Sequence, residues 1–64
     1  MITTLRGRFR DPNQAKNTRD DLINCGIPQE QIHVDKDTNT IRVMMPAEED
    51  AEIFEIFDRH GVEH

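Results

Sequence analysis

The fold is decided by residues 9–27, which read Phe-Arg-Asp-Pro-Asn-Gln-Ala-Lys-Asn-Thr-Arg-Asp-Asp-Leu-Ile-Asn-Cys-Gly-Ile. Asp11 is a helix N-cap residue type, and Pro12 follows it at the position where a helix tolerates proline. Gly26 is the residue type that most often ends a helix in a left-handed conformation. Between these signals, side chains that can face a core recur at helical spacing: Ala15, Thr18, Leu22 and Cys25, with Ile23 on the flank. The stretch therefore predicts a helix over residues 12–25 with Cys25 in the core.

A second strand–helix unit repeats this ending, because His60-Gly61-Val62 matches Cys25-Gly26-Ile27. A strand-like run precedes each unit's proline, Pro12 or Pro46. In the first run, residues 3–10, a period of two predicts a half-buried strand. Its core side carries Leu5, Gly7 and Phe9, and its solvent side carries Arg6, Arg8 and Arg10. Gly7 within a strand is typical of a bulge or of close packing.

Residues 32–36 and 41–45 predict two further strands, joined as a hairpin by the turn residues Asp37-Thr38-Asn39. Residues 47–60 predict a second helix. Its predicted apolar stripe comprises Ala47, Ala51, Ile53, Phe54 and Phe57, with Ile56 beside it. The order β-α-β-β-α predicts an α+β, ferredoxin-like fold for the single domain 1–64, with both helices on one face of an antiparallel sheet.

Only residues 62–64 remain for a fourth strand. Two outcomes stay open. Either these residues pair as a minimal edge strand, or a sheet edge stays open for another chain.

Composition limits the function. The 64 residues carry a net charge of −5, which disfavours a general nucleic-acid or anionic-membrane binder. Residues 1–19 nevertheless hold five of the eight basic residues and one of the thirteen acidic ones. No run is long and apolar enough to span a membrane, and no secretion signal is recognisable. We therefore expect a cytoplasmic protein in which the single cysteine stays reduced.

The predicted binding residues are Arg6, Arg8, Arg10 and Arg42, which the ferredoxin-like order places on the sheet face away from the helices. Three interpretations stay open. The face is simply solvated; it binds RNA, although it lacks the aromatic side chains that stack bases; or it mediates self-association. In the last case the arginines of one copy meet the acidic first turn of the second helix of another, Glu48, Glu49, Asp50 and Glu52.

Catalysis is not expected. His60, Glu63 and His64 match the letters of one zinc-peptidase motif, but Gly61 ends the helix that would have to align both histidines. Adventitious metal binding by these three residues is the remaining alternative. No nucleophile–base pair or phosphate-binding glycine loop is recognisable, so we predict no enzyme activity, no catalytic metal and no cofactor.

Two family resemblances follow from these residues. The stretch from Phe9 to Val34, including Asp11-Pro12 and Cys25-Gly26-Ile27, resembles the small bacterial general stress domain of the YflT type. This resemblance implies a stress-associated or regulatory protein that acts through an unknown protein partner, or as a homodimer through a sheet edge or the arginine face. Gly7–Ala15 and Ile41-Arg42-Val43 are similar to the SPOR domain, which implies peptidoglycan binding as the alternative. The SPOR pattern usually has Gly-Pro-Phe where this chain has Met45-Pro46-Ala47.

Overall fold

A computed structural model describes all 64 residues. It contains three strands, two α-helices and two short 3₁₀ turns. In chain order these are β1 (Ile2–Arg8), α1 (Pro12–Asn24), a 3₁₀ turn (Gln29–Gln31), β2 (Ile32–Asp35), β3 (Thr40–Pro46), a second 3₁₀ turn (Ala47–Glu49) and α2 (Asp50–Arg59).

The three strands form one antiparallel sheet in the order β1-β3-β2. Leu5 of β1 lies opposite Val43 of β3, and Val34 of β2 lies opposite Ile41 of β3. The predicted α+β class is confirmed, and so is the predicted hairpin of β2 and β3. Asn39 takes the positive φ of 54° that closes the hairpin turn.

A full fourth strand is absent, and its place is taken by a single antiparallel bridge between Arg8 and Glu63. The two residues exchange both backbone hydrogen bonds, at 2.6 Å and 3.0 Å. The residues after Gly61 therefore cover one position of β1 and leave the rest of its outer edge open.

Helix α1 begins and ends as its sequence predicts. The side chain of Asp11 accepts a hydrogen bond from the Gln14 amide at 2.9 Å, and Gln14 reaches back to accept from the amide of Arg10. At the other end Gly26 has a φ of 102°, and the Ile27 amide donates to the Leu22 carbonyl at 3.1 Å. This is the Schellman pattern of helix ends.

Helix α2 ends in the same way. Gly61 has a φ of 73°, and the Val62 amide donates to the Phe57 carbonyl at 2.8 Å. The repeated ending predicted from sequence is thus a repeated structure. It carries Ile27 and Val62 back into the core, where both are buried.

One core cluster of twelve side chains lies between the sheet and both helices, which therefore pack on the same face. Its members are Phe9, Ala15, Leu22, Ile27, Ile32, Ile41, Val43, Met45, Ile53, Ile56, Phe57 and Val62. Gly7 is part of this packing, because a Cβ atom built there would lie 2.5 Å from Cγ1 of Val62. Since the β1–β3 register is unbroken, Gly7 marks close packing and not a bulge.

Two core predictions are wrong. Cys25 is exposed: it is the C-cap residue of α1, and the chain reverses after it so that Ile27 fills the core instead. Ala47 and Ala51 are also exposed. Ala47 lies in a 3₁₀ turn, before α2 begins at Asp50. Ala51 lies within α2 but about 200° around the helix from Ile53, so it faces away from the buried face of Ile53, Ile56 and Phe57.

Candidate binding surface on the open sheet face

Three of the four predicted binding residues lie together on the sheet face away from the helices. Arg6 and Arg8 extend from β1 and Arg42 from β3, all with exposed side chains. The even-numbered positions of these strands face solvent because their odd-numbered neighbours face the core. We call these three residues the arginine face.

Arg10, the fourth predicted residue, does not belong to the arginine face. It lies beyond the end of β1, where its guanidinium is 3.9 Å from the Glu63 carboxylate. It lines a separate polar depression beside the start of α1, together with Asp11, Asn13 and Gln14.

Arg6 lies directly opposite Arg42 in the β1–β3 ladder, and His33 of β2 lies on the other side of Arg42. The Phe9 amide donates to the Asn39 carbonyl at 2.9 Å, so the odd-numbered residues of β1 make the ladder hydrogen bonds. Arg6 and Arg42 are therefore a non-hydrogen-bonded pair, the kind in which side chains are closest. Like charges directly opposite each other destabilise a sheet.

The arginine face has one ion pair, and it is bordered by Glu63, which lies opposite Arg8 and lines a depression with Arg6 and Arg8. The only carboxylate paired with the arginine face is that of Asp35, 3.6 Å from the Arg42 guanidinium. The same carboxylate also accepts from the Asp37 amide at 3.0 Å. Arg6 and Arg8 form no ion pair within the chain. The face is thus positively charged on a chain whose net charge is −5.

The arginine face has a shape as well as a charge. A shallow depression of about 280 Å³ lies at the turn end of the sheet; its lining residues are Arg6, Arg42, Asp35, Thr38 and Thr40. The opposite end of the same face is apolar, because Ile2 is 60% exposed and Met44 is 40% exposed. The surface therefore combines a cationic end with an apolar end.

The outer edge of β1 adjoins the arginine face. Since the odd-numbered residues 3, 5 and 7 of β1 bond to β3, the N–H and C=O groups of Ile2, Thr4 and Arg6 point away from the sheet. Only Arg8, the next residue in this series, has a partner, which is Glu63. Residue types alone do not indicate which β1 groups are left open.

The histidines near the end of the chain bind different carboxylates. His60 Nε2 is 2.9 Å from Oδ2 of Asp21, and His64 Nε2 is 2.7 Å from Oδ1 of Asp58. The ring of His64 stacks on Phe54 at 4.6 Å. No group of three or more His, Cys, Asp or Glu side chains is placed to hold a metal ion. The letters of the zinc-peptidase motif therefore do not assemble a ligand set.

Asp21 joins the two helices, because Arg59 Nη1 also donates to Oδ2 of Asp21, at 3.1 Å. The hydrogen bond with His60, reinforced by the Arg59 guanidinium, lowers the pKa of the Asp21 carboxyl from its ordinary 3.8, although partial burial acts in the opposite direction. The charged carboxylate is thus the form that holds α1 to α2.

Comparison of the chain with models of protein families, with curated proteins and with solved structures finds no match. None of the helices has the length and apolarity needed to cross a membrane.

Proposed function

We propose that the chain is a non-catalytic protein-interaction module that forms a homodimer through the open edge of β1. The observation that carries the proposal is the row of unpaired backbone groups on Ile2, Thr4 and Arg6, which ends where Glu63 covers Arg8. An exposed strand edge is a template for pairing with another chain, and proteins that stay monomeric normally cover it.

The open edge is complementary to itself. Two antiparallel copies of β1 use all three open residues when Thr4 of each protomer lies opposite Thr4 of the other. Ile2 then lies opposite Arg6, and the pairing stops just before the Arg8–Glu63 bridge. The result is a continuous six-stranded sheet about a two-fold axis, the commonest symmetry of homodimers.

Apolar side chains along this edge support the proposal. Ile2 is exposed on the open face, and Leu5 of β1 is only partly buried on the helix side. Phe54 is also partly buried, and its ring stacks on His64, next to the Glu63 that pairs with Arg8. A 64-residue chain buries only about 60% of the surface its unfolded form exposes, so it gains more from an added interface than a larger domain does.

The test compares two variants that place opposite charges at position 2. Ile2→Glu places a carboxylate opposite Arg6 of the second protomer, and Ile2→Lys places a second cation there, twice in each dimer. We expect Ile2→Glu to dimerise more tightly than Ile2→Lys by a factor on the order of ten or more, from sedimentation velocity across a dilution series. Equal dimerisation of the two variants, or none in the wild type, contradicts the proposed pairing.

A second candidate function is supported by the Arg6–Arg42 pair. A like-charge pair that weakens the sheet is the kind of local conflict that proteins keep at functional sites. We propose that the arginine face binds an acidic surface of a partner protein, and that the dimer presents two such faces on one sheet. Amide shifts at Arg6 and Arg42 on titration with polyglutamate are the expected result. Shifts with single-stranded RNA or sacculus fragments, and not with polyglutamate, favour nucleic-acid or SPOR-like glycan binding and overturn it.

The ferredoxin-like arrangement, the cytoplasmic location and the stress-associated role are also parts of this proposal. Strand order β1-β3-β2 with Glu63 on the free side of β1 supports a ferredoxin-like arrangement whose fourth strand is reduced to one bridge. An exposed lone thiol, Cys25, suits the reducing bacterial cytoplasm. The stress-associated or regulatory role rests on the resemblance of residues 9–34 to the YflT type of domain.

A further inference from the structure

A groove runs between α1 and β2, at the opposite edge of the sheet from β1. Its volume is about 320 Å³, near the lower limit of known ligand sites. Apolar atoms form much of its surface and three long basic side chains surround them. The lining residues are Phe9, Pro12, Asn13, Ala15, Lys16, Arg19, Val34 and Lys36.

The groove is cationic. Lys16, Arg19 and Lys36 line it, and no carboxylate does. Arg19 is 3.8 Å from Asp20, while Lys16 and Lys36 form no ion pair within the chain. Because the chain as a whole has a net charge of −5, this concentration of positive charge selects for a negatively charged occupant.

The backbone of β2 adds a directional feature. His33 and Asp35 lie opposite Arg42 and Thr40 and make the hydrogen bonds to β3. The N–H and C=O of Val34, which lines the groove, therefore point away from β3 at the outer edge of the sheet. An extended segment lying there gains two backbone hydrogen bonds from Val34 and an apolar floor from Phe9 and Ala15. A strand edge beside a helix is a recurring site for peptides that bind by strand addition.

We propose that this groove binds an extended acidic segment of a partner protein, added as a strand to β2. A second copy of the chain is a poor occupant. Its densest acidic segment, Glu48 to Glu52, lies in a 3₁₀ turn and the first turn of α2, so its backbone is not free to add as a strand. This inference is independent of the proposed β1 dimer, because the two use opposite edges of the sheet.

The probe is a short fluorescein-labelled peptide in which glutamate alternates with valine. We expect it to bind the ¹⁵N-labelled full chain with amide shifts centred on Val34, Lys36 and Lys16. A peptide with lysine in place of glutamate tests the charge. A fully N-methylated peptide keeps the charge but cannot donate to the Val34 carbonyl. We expect both control peptides to bind at least about tenfold more weakly.

Matched variants locate the site. Lys16→Glu/Lys36→Glu should reduce affinity on the order of tenfold or more, because both side chains are exposed and the substitutions reverse the charge without touching the core. Two controls should bind like the wild type: Asn24→Glu/Gln29→Glu, which adds negative charge at exposed positions outside both the groove and the arginine face, and Ile2→Lys, which disfavours the β1 dimer. The proposal is overturned if the controls lose binding while Lys16→Glu/Lys36→Glu keeps it. It is also overturned if the wild type does not bind the peptide up to about 1 mM. Peptide binding is measured on Ile2→Lys as well as on the wild type, so the groove is tested whether or not the chain dimerises.

Discussion

Gly7→Ala tests the close packing of β1 against Val62, the residue just before the Arg8–Glu63 bridge. The added Cβ would lie 2.5 Å from Val62 Cγ1, 3.1 Å from Phe57 Cε2 and 3.3 Å from Ile41 Cγ2. Carbon atoms in contact prefer about 3.5–4.0 Å, so the contact with Val62 is short by about 1 Å or more. All three neighbours are buried and have little space into which to move.

The expected loss follows from two opposing effects. Overpacking of this kind costs about 1–3 kcal/mol. Alanine is better than glycine within a strand by about 0.5–1 kcal/mol, so we expect a net destabilisation of about 1–2 kcal/mol. In a domain whose total stability is on the order of 3–5 kcal/mol, this is a large fraction.

Val62→Ala provides the rescue, because it removes the atom that clashes. Alone it should cost about 2 kcal/mol in lost burial and cavity. The double variant Gly7→Ala/Val62→Ala should be no less stable than Val62→Ala, a favourable coupling of about 1–2 kcal/mol. Gly7→Ala/Ile27→Val is the matched control, and its two effects should add because Ile27 lies beyond the far end of α1 and is not among the nearest neighbours of the added Cβ.

Urea unfolding followed by far-UV circular dichroism, at one protein concentration, measures these values. The chain has no tryptophan or tyrosine for fluorescence. A Gly7→Ala variant as stable as the wild type, or a deficit that remains undiminished when Val62 is shortened, would refute the reasoning.

Three further predictions concern stability and are measured by the same unfolding assay. Asp21→Asn should cost about 1 kcal/mol near neutral pH. Folding lowers the pKa of Asp21, so its contribution to the free energy of unfolding is present above pH 3.8 and disappears as the pH falls below that value. The wild-type and Asp21→Asn stabilities should therefore converge in acid. A difference in stability that persists there contradicts the ion-pair account. Gly26→Ala should cost about 1–2 kcal/mol through backbone strain alone, because Gly26 has a φ of 102° and an added Cβ would meet no atom within 4 Å. A variant as stable as the wild type would contradict this explanation. Arg6→Gln should stabilise the fold by about 0.2–1 kcal/mol by removing the repulsion from Arg42, whereas a loss would show that Arg6 has a favourable partner.

The parts of the fold that sequence predicts are those with local causes. Asp11 caps the helix that follows it, and Gly26 and Gly61 end their helices through conformations that few other residues adopt. The alternation along β1 places Arg6 and Arg8 on the solvent face once the core side is known. The arginine face could therefore be predicted, apart from Arg10, which lies past the point where β1 ends.

The parts that sequence misses depend on distant contacts or on helical phase. Ala47 lies in the 3₁₀ turn before α2, outside its helical phase, and Ala51 lies about 200° around α2 from Ile53, so both face solvent although their mutual spacing is helical. Cys25 occupies a core position of the periodic pattern, but it lies at the helix end. The groove beside β2 is lined by both Lys16 and Lys36, which are twenty positions apart in the sequence, and no local pattern indicates that they lie together.

Dimerisation through β1 is the central claim, and a proline at position 4 tests it most directly. The Thr4 amide points away from β3, so Thr4→Pro removes a donor that the monomer does not use, as edge strands tolerate. Thr4→Val is the matched control that keeps the amide and favours a strand. By sedimentation equilibrium we predict that the wild type and Thr4→Val rise from 7.5 kDa towards twice that mass with concentration, while Thr4→Pro, still folded by circular dichroism, stays monomeric. A wild type that remains at 7.5 kDa up to about 1 mM, or a Thr4→Pro variant that dimerises equally well, would contradict the claim.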